Sequence, residues 1–496
     1  MCARFVAATS LLGVTKKGLG RISESKLEEH RHNGHLFAVL PADQKHPKGL
    51  YVLFATEMWE RFSFYSMLSM FTLYMRDPTD GFGWTGPQAT SLYANYLMFV
   101  YASPLIGGWI ADKKLGYRRA VMLGGLFFMA GHLLLAFKSL PAVYAALTCL
   151  VIGNGFFKPN VSTMVGNLYP DGSHLKDRAY NIFYMGINIG AFSAPLVASW
   201  VQAKFGFHPA FTVAAGGMAI SVWILWRFKR HVEEPPRESL PSARQSSAAA
   251  AVTVDAPPIS ASHQRHSTME AVPEWKRIMA LIVIFAVVII FWMVFHQNSS
   301  TLTYWAKDNT DWTMIFPAEK ADTTGGIISN AINPFWVITL TFPLVFFWRW
   351  LDRKGVEPST PTKMAIGMTL TGLSFFVLFI AARMGEAGVT ADNPYAFRVS
   401  PGWLFLSYFV VTSGELMLSP MGLSLVSKVA PYRLRGLMMG GWFVATAIGN
   451  KLTAIGVFWD RWLHSTFFGV LGAMALFMAV VLFFLLKPLK KAMPGV

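Results

Sequence analysis

Apolar residues fall along this chain in long blocks, each of a length that crosses a bilayer. Twelve such blocks run over roughly 50–76, 88–111, 119–138, 141–168, 179–203, 208–229, 275–305, 326–350, 362–384, 401–429, 435–458 and 464–487, and each predicts a transmembrane helix. One break in composition interrupts the series. From His231 to Pro273 the chain holds Glu-Glu-Pro-Pro, Ser-Ser-Ala-Ala-Ala-Ala and Ala-Pro-Pro with almost no large apolar residue, the signature of a flexible linker. The predicted layout is an N-terminal tail over 1–47, six helices over 48–230, a linker over 231–274, six helices over 275–488 and a C-terminal tail over 489–496. The fold class is therefore an all-α membrane protein with twelve transmembrane helices in two six-helix bundles.

The halves echo each other. After the second block comes Ala111-Asp112-Lys113-Lys114-Leu115-Gly116-Tyr117-Arg118-Arg119, and after the eighth comes Leu351-Asp352-Arg353-Lys354-Gly355. An Asp followed by bases and Gly could be a simple turn. Its recurrence at matching places in two six-helix halves points to an internal repeat, and carriers built this way bind substrate near the midplane between halves that rock alternately.

Polar residues inside the blocks carry the functional signal. The first block contains Glu57-Met58-Trp59-Glu60-Arg61-Phe62-Ser63-Phe64-Tyr65 and no further charge to Met75. Each ionised group at that depth costs a few kcal/mol or more if unpaired, a cost borne mainly where groups face a water-filled path. Steps of three and four put Glu57, Glu60, Arg61 and Tyr65 on one helix face.

Composition agrees. The 496 residues are 53% hydrophobic and 14% charged, which excludes a soluble domain. The net charge of +16 does not imply nucleic acid. Much of it lies in short loops on one side, at Lys113, Lys114, Arg118 and Arg119; Arg349, Arg353 and Lys354; Arg433 and Arg435; and Lys487, Lys490 and Lys491. The positive-inside rule makes that side cytoplasmic, with both termini inside, and the same charges face anionic lipids. Cys2 and Cys149 cannot form a disulfide framework. No secretory signal precedes the first block. Residues 1–22 carry bases without acids, as an organelle transit peptide would, although a disordered tail explains them as well.

Lys158, in Gly153-Asn154-Gly155-Phe156-Phe157-Lys158-Pro159-Asn160, lies deep in the fourth block and needs a partner or ligand. Pro159 frees a backbone carbonyl there. Glu415, in Ser413-Gly414-Glu415-Leu416-Met417-Leu418-Ser419-Pro420, is the one acid of its block, suited to carry a proton near neutral pH. A static Lys158–Glu415 or Arg61–Glu57 pair that fixes helix register is the structural alternative. Asn188 and Asn333 are membrane amides that could bond a neighbouring helix, Gly186 and Gly190 suit close packing, and Tyr101 and Trp442 are pocket or core. No phosphate-binding loop, His-x-x-x-His spacing or nucleophile elbow occurs. ATP drive, metal ligands and catalytic residues are therefore not expected, and neither is an enzyme.

With these residues in place the chain resembles the proton-dependent oligopeptide transporters of the major facilitator superfamily over nearly all of 48–490. The resemblance rests on the Glu57, Glu60, Arg61 face; Phe157-Lys158-Pro159-Asn160; Phe183-Tyr184-x-x-Ile187-Asn188-x-Gly190; Asn333-Pro334; and Gly414-Glu415-x-x-x-Ser419-Pro420. It implies the major facilitator fold and import of di- and tripeptides coupled to protons at the inner (plasma) membrane. It further implies gradient drive with no cofactor, and peptides, protons and the lipid bilayer as partners; a monomer is expected. By the same resemblance Arg61 and Lys158 hold the peptide carboxylate. Asn188, Asn333 and Glu415 receive its amino terminus, and Tyr65, Tyr101 and Trp442 shape side-chain pockets. Glu57, Glu60, Arg61, His296 and Glu415 couple protons. The physics agrees: bases on one half and an acid on the other clamp a zwitterion across the cleft, strict for the termini and tolerant of side chains.

Two departures stand out. Many bacterial members carry two additional helices between the halves, where this chain has a polar linker. In Phe295-His296-Gln297-Asn298-Ser299-Ser300, His296 stands where relatives often have an acid; it cannot pair with Arg61 when charged, but it can titrate near neutrality. A nitrate or other small-anion carrier and a peptide-binding sensor without transport are the rival readings. The acid at Glu415 argues against the first, because an anion needs nothing to hold an amine.

Overall fold

A computed structural model of the protein describes residues 46–169, 175–232, 272–390, 392–431 and 434–494. The segment 1–22, most of the expected N-terminal tail and most of the expected linker lie outside those residues, as do the side chains of Ser419 and Pro420. The chain from Pro47 onward forms one body.

Six long helices build the N-terminal half: α1 (Lys48–Arg76), α2 (Gly86–Ile110), α3 (Tyr117–Leu134), α4 (Leu140–Asn167), α5 (Leu175–Phe205) and α6 (Phe207–Arg227). The C-terminal half contains α7 (Glu274–Phe295), α8 (Thr301–Asp308), α9 (Ala318–Ile328), α10 (Ile332–Arg353), α11 (Thr360–Glu386), α12 (Pro401–Val429), α13 (Arg435–Leu452) and α14 (His464–Ala492). Helices α7 with α8, and α9 with α10, each make one broken span, so the chain crosses twelve times. Among the described residues, seven of these spans are long and apolar enough by length and composition alone. The first is more polar because it carries Glu57, Glu60 and Arg61. Large side chains exposed along the bundle face lipid, and exposed Trp109, Trp226, Trp275 and Trp350 stand near span ends, where indole favours the membrane interface.

Local chemistry sets the helix ends. Asp77 stops α1, its carboxylate accepting the Thr79 and Asp80 N–H groups. Thr85 and Gln88 form a reciprocal capping box that opens α2. Gly116, at φ +80°, turns the chain from a π-helical turn over Ala111–Leu115 into α3.

Packing reproduces the internal repeat. The first span packs on the fifth and sixth, the third on the fourth and sixth, and the second on the fourth; the seventh packs on the eleventh and twelfth, the ninth on the tenth and twelfth, and the eighth on the tenth. Adding six to each member of the first set yields the second. The principal seams between halves, second against eleventh and fifth against eighth, exchange under the same operation. This is the arrangement of a pseudo-two-fold carrier.

Two expected spans differ in outline. The seventh, read as continuous over 275–305, breaks into a 3₁₀ turn at His296–Ser299, and the eighth starts at Ala318 and tightens at Ser329–Ala331. Polar side chains replace the lost backbone bonds. Gln297 donates to the carbonyls of Met293 and Thr453, Thr301 donates to Gln297 Oε1, and Ser299 donates to Asn330 Oδ1 at 2.8 Å. The eleventh span also ends in 3₁₀ geometry at Thr453–Phe458. Three irregular segments therefore interlock at one depth, where buried non-helical backbone is tolerated in a membrane.

Among the described residues, hydrogen bonds between the halves gather towards this same end. Thr72 donates to the Ser299 carbonyl, Thr90 bonds Ser300 and Tyr304, Arg76 pairs with Asp308 at 3.1 Å, Lys320 donates to the Ala203 carbonyl and Lys451 donates to Asn95. It is the end opposite the linker, and these bonds tie the two halves together there.

Candidate functional site

The site is built where helices approach closely. Any side-chain carbon at Gly190 would strike the Met58 carbonyl, and one at Gly186 would strike Phe54, so the fifth span lies hard against the first beside Arg61. Likewise Gly414 abuts the Gly367 carbonyl and sets the tenth span on the ninth next to Glu415. Asn154 donates to the Val100 carbonyl at 2.6 Å, which fixes the fourth span on the second one turn before Lys158.

On the N-terminal half, Glu57, Glu60 and Arg61 are all buried. Arg61 Nε lies 3.1 Å from Glu57 and 2.5 Å from Glu60, and its Nη2 donates to Glu60 Oε1 at 3.0 Å. The guanidinium also sits over Phe64, 5.3 Å from the ring centre. The second oxygen of Glu57 is buried without a hydrogen-bond partner among the described residues. Lys158 Nζ stands 4.5 Å from the Tyr101 ring centre. No carboxylate among the described residues is within ion-pair distance of Lys158, so a static Lys158–Glu415 pair is not formed; the Arg61–Glu57 pair is. A cation left facing an aromatic ring is available to an incoming anion.

On the C-terminal half, Asn333 Nδ2 donates to Glu415 Oε2 and to Thr412 Oγ1, both at 2.9 Å. The carboxylate is thus oriented by neutral groups from the eighth and tenth spans. Asn188 donates within its own helix to Tyr184 at 2.9 Å. Trp442 is buried against Gly422 and edge-on to Phe285, a wall of the C-terminal bundle.

His296 joins the two halves. Its Nε2 is 3.5 Å from the Tyr101 hydroxyl, and its ring lies 4.8 Å from Trp292. Arg61 meets its own helix's acids, and the contacts of His296 run to Tyr101 and Trp292. Trp292 and Thr412 are members that sequence reasoning misses. Helical spacing is the signal that could have found them: Trp292 is one turn before His296, and Thr412 is three residues before Glu415.

A family profile described as the POT family matches residues 118–257 and 238–458. An uncharacterized transporter, YclF, of Bacillus subtilis is 31% identical over 482 residues, covering 91% of this chain and 96% of its own length. The chain belongs to the POT family. A di-/tripeptide transporter of Lactococcus lactis is 30% identical over 91% of this chain and 97% of its own length. A crystal structure of a mutant peptide transporter POT in complex with alafosfalin superposes with a TM-score of 0.74 at 32% identity, covering 91% of this chain and 96% of that one. POT members are transporters, not enzymes, and the repeated helical bundles and the buried charged face suit such a carrier.

Proposed function

We propose that this chain is a proton-coupled symporter of di- and tripeptides, driven by the gradient without a cofactor, that works by alternating access in the plasma membrane with both termini cytoplasmic. Relatives named di-/tripeptide transporters and a related structure holding alafosfalin support the peptide class. The observation that carries the reading is the division of charge: bases Arg61 and Lys158 on one wall, and Glu415 with Asn333 on the other. A zwitterionic peptide fits that polarity end to end. Glu57, Glu60 and Glu415 against Arg61 and Lys158 leave one excess negative charge. A zwitterion brings no net charge, so one proton balances the loaded site, and a balanced site is the cheapest to carry through a low-dielectric barrier.

In this reading the acids of the first span hold Arg61 until one takes a proton, and the oxygen of Glu57 that lacks a partner receives it. Arg61 and Lys158 then bind the peptide carboxylate, Glu415 and Asn333 with Asn188 meet the ammonium, Tyr65, Tyr101 and Trp442 bound the side-chain space, and His296 tunes the coupling through Tyr101. The polar seam at the end away from the linker is the extracellular gate, closed here, and residues 231–274 tether the halves. Uptake of a labelled dipeptide into proteoliposomes under an imposed pH gradient tests the reading. Concentrative uptake that collapses with the gradient is expected. Uptake of nitrate in place of peptide, or peptide binding without flux, would overturn it.

A further inference from the structure

The third and sixth spans enclose a cleft at each end of their contact, and the two clefts differ in charge. The cleft at the end away from the linker is lined by Ala136, His208, Pro209, Thr212 and Val213 and carries no fixed charge. The cleft at the linker end, of about 290 Å³, is lined by Arg118, Arg119 and Lys229 at its rim and by Met122, Leu126 and Trp226 along its wall. Leu126 and Trp226 are exposed to the surroundings of the bundle, so the wall is open to acyl chains while the bases sit at the level where the helices leave the membrane.

We propose that the linker-end cleft is a binding site for one anionic phospholipid, whose phosphate lies among Arg118, Arg119 and Lys229 and whose acyl chain runs along Met122, Leu126 and Trp226. Charge complementarity selects the headgroup: basic pockets between helices on the cytoplasmic side bind such lipids, and the uncharged cleft of the same helix pair has nothing with which to select them. The apolar wall selects a lipid over a soluble anion, since a free phosphate gains nothing from Leu126 or Trp226. The site lies within the N-terminal half and includes none of the residues proposed to hold the peptide, so it stands or falls independently of the transport reading.

The test is photolabelling of the full chain in proteoliposomes with trace phosphatidylglycerol or phosphatidylcholine, each bearing a photoreactive acyl chain, followed by mass-spectrometric mapping. Phosphatidylglycerol should label 122–126 and 225–229 many-fold more strongly than phosphatidylcholine, while both label the Ala136–His208 cleft alike. Combined Arg118→Gln, Arg119→Gln and Lys229→Gln should erase that preference, a loss of up to roughly a hundredfold for three bases near the surface. Arg118→Lys with Arg119→Lys, which keeps the charge, should retain it and guards against a folding artefact. Equal labelling by the two lipids, a preference that survives the triple substitution, or displacement by inorganic phosphate as effective as by unlabelled phosphatidylglycerol would overturn the proposal.

Discussion

The two halves repeat one another in packing yet differ in their chemistry. The N-terminal half concentrates charge: Arg61 is held between Glu57 and Glu60 on a single helix, and Lys158 stands over the Tyr101 ring. The C-terminal half presents one carboxylate, Glu415, oriented by Asn333 alongside Thr412. In the proposed reading a base already saturated by its own acids cannot grip a peptide until one acid is neutralised, which would make the N-terminal half the place where proton and substrate compete. An acid held by neutral donors is ready for an ammonium at any time. In the proposed cycle the symmetry would serve the motion and its breach the recognition.

The division can be broken from either side. The largest effect is expected in the N-terminal half: Arg61→Ala or Lys158→Ala should abolish gradient-driven uptake, a loss of roughly a hundredfold or more, because removing one member of a buried charged cluster costs about 3–5 kcal/mol. Initial-rate uptake of a labelled dipeptide checks this, and near-normal uptake by Lys158→Ala would remove it from the site. Glu57→Gln and Glu60→Gln should next separate coupling from translocation. Accumulation against a gradient should vanish while peptide counterflow persists, and variants that still concentrate peptide would show that this face does not couple.

In the C-terminal half, Glu415→Gln should weaken free-amine dipeptides about 10–100-fold, the worth of a charge-assisted hydrogen bond of about 1.5–3 kcal/mol, and leave N-acetylated ones little changed. Competition binding reads the ratio directly. At the junction, His296→Gln should shift the pH optimum of uptake if the imidazole titrates in the cycle, and His296→Glu should restore an acid at that place; an unchanged pH profile in His296→Gln would leave His296 only its packing against Tyr101 and Trp292. Arg76→Ala should act least. The Arg76–Asp308 pair is partly exposed, so its loss, worth about 0–1 kcal/mol, should shift the balance between the two access states by a few-fold at most, measurable by cysteine accessibility at the outer seam.

Apolar block length makes the fold legible in the sequence, since a run that must cross hydrocarbon has one backbone solution. Charges at depth mark the candidate site's members for the same reason. The break after Phe295 is not legible, because it depends on Gln297 finding Thr453 in the eleventh span and Ser299 finding Asn330 in the eighth. Nor is the partner of Lys158: helical spacing ties Arg61 to its own acids, but the Tyr101 ring beneath Lys158 is set by how the second and fourth spans meet. The family resemblance points His296 towards Arg61, whereas Tyr101, far away in sequence, is its hydrogen-bond partner.

The central claim, that the two halves hold opposite ends of one zwitterion, is tested most directly by crossing two substrate modifications with two substitutions in a binding assay on the purified carrier. Wild type should discriminate against both N-acetylated and C-amidated dipeptides. Glu415→Gln should lose only the discrimination against N-acetylation, and Lys158→Ala only that against C-amidation. If either variant loses both kinds of discrimination equally, the halves do not divide the peptide between them.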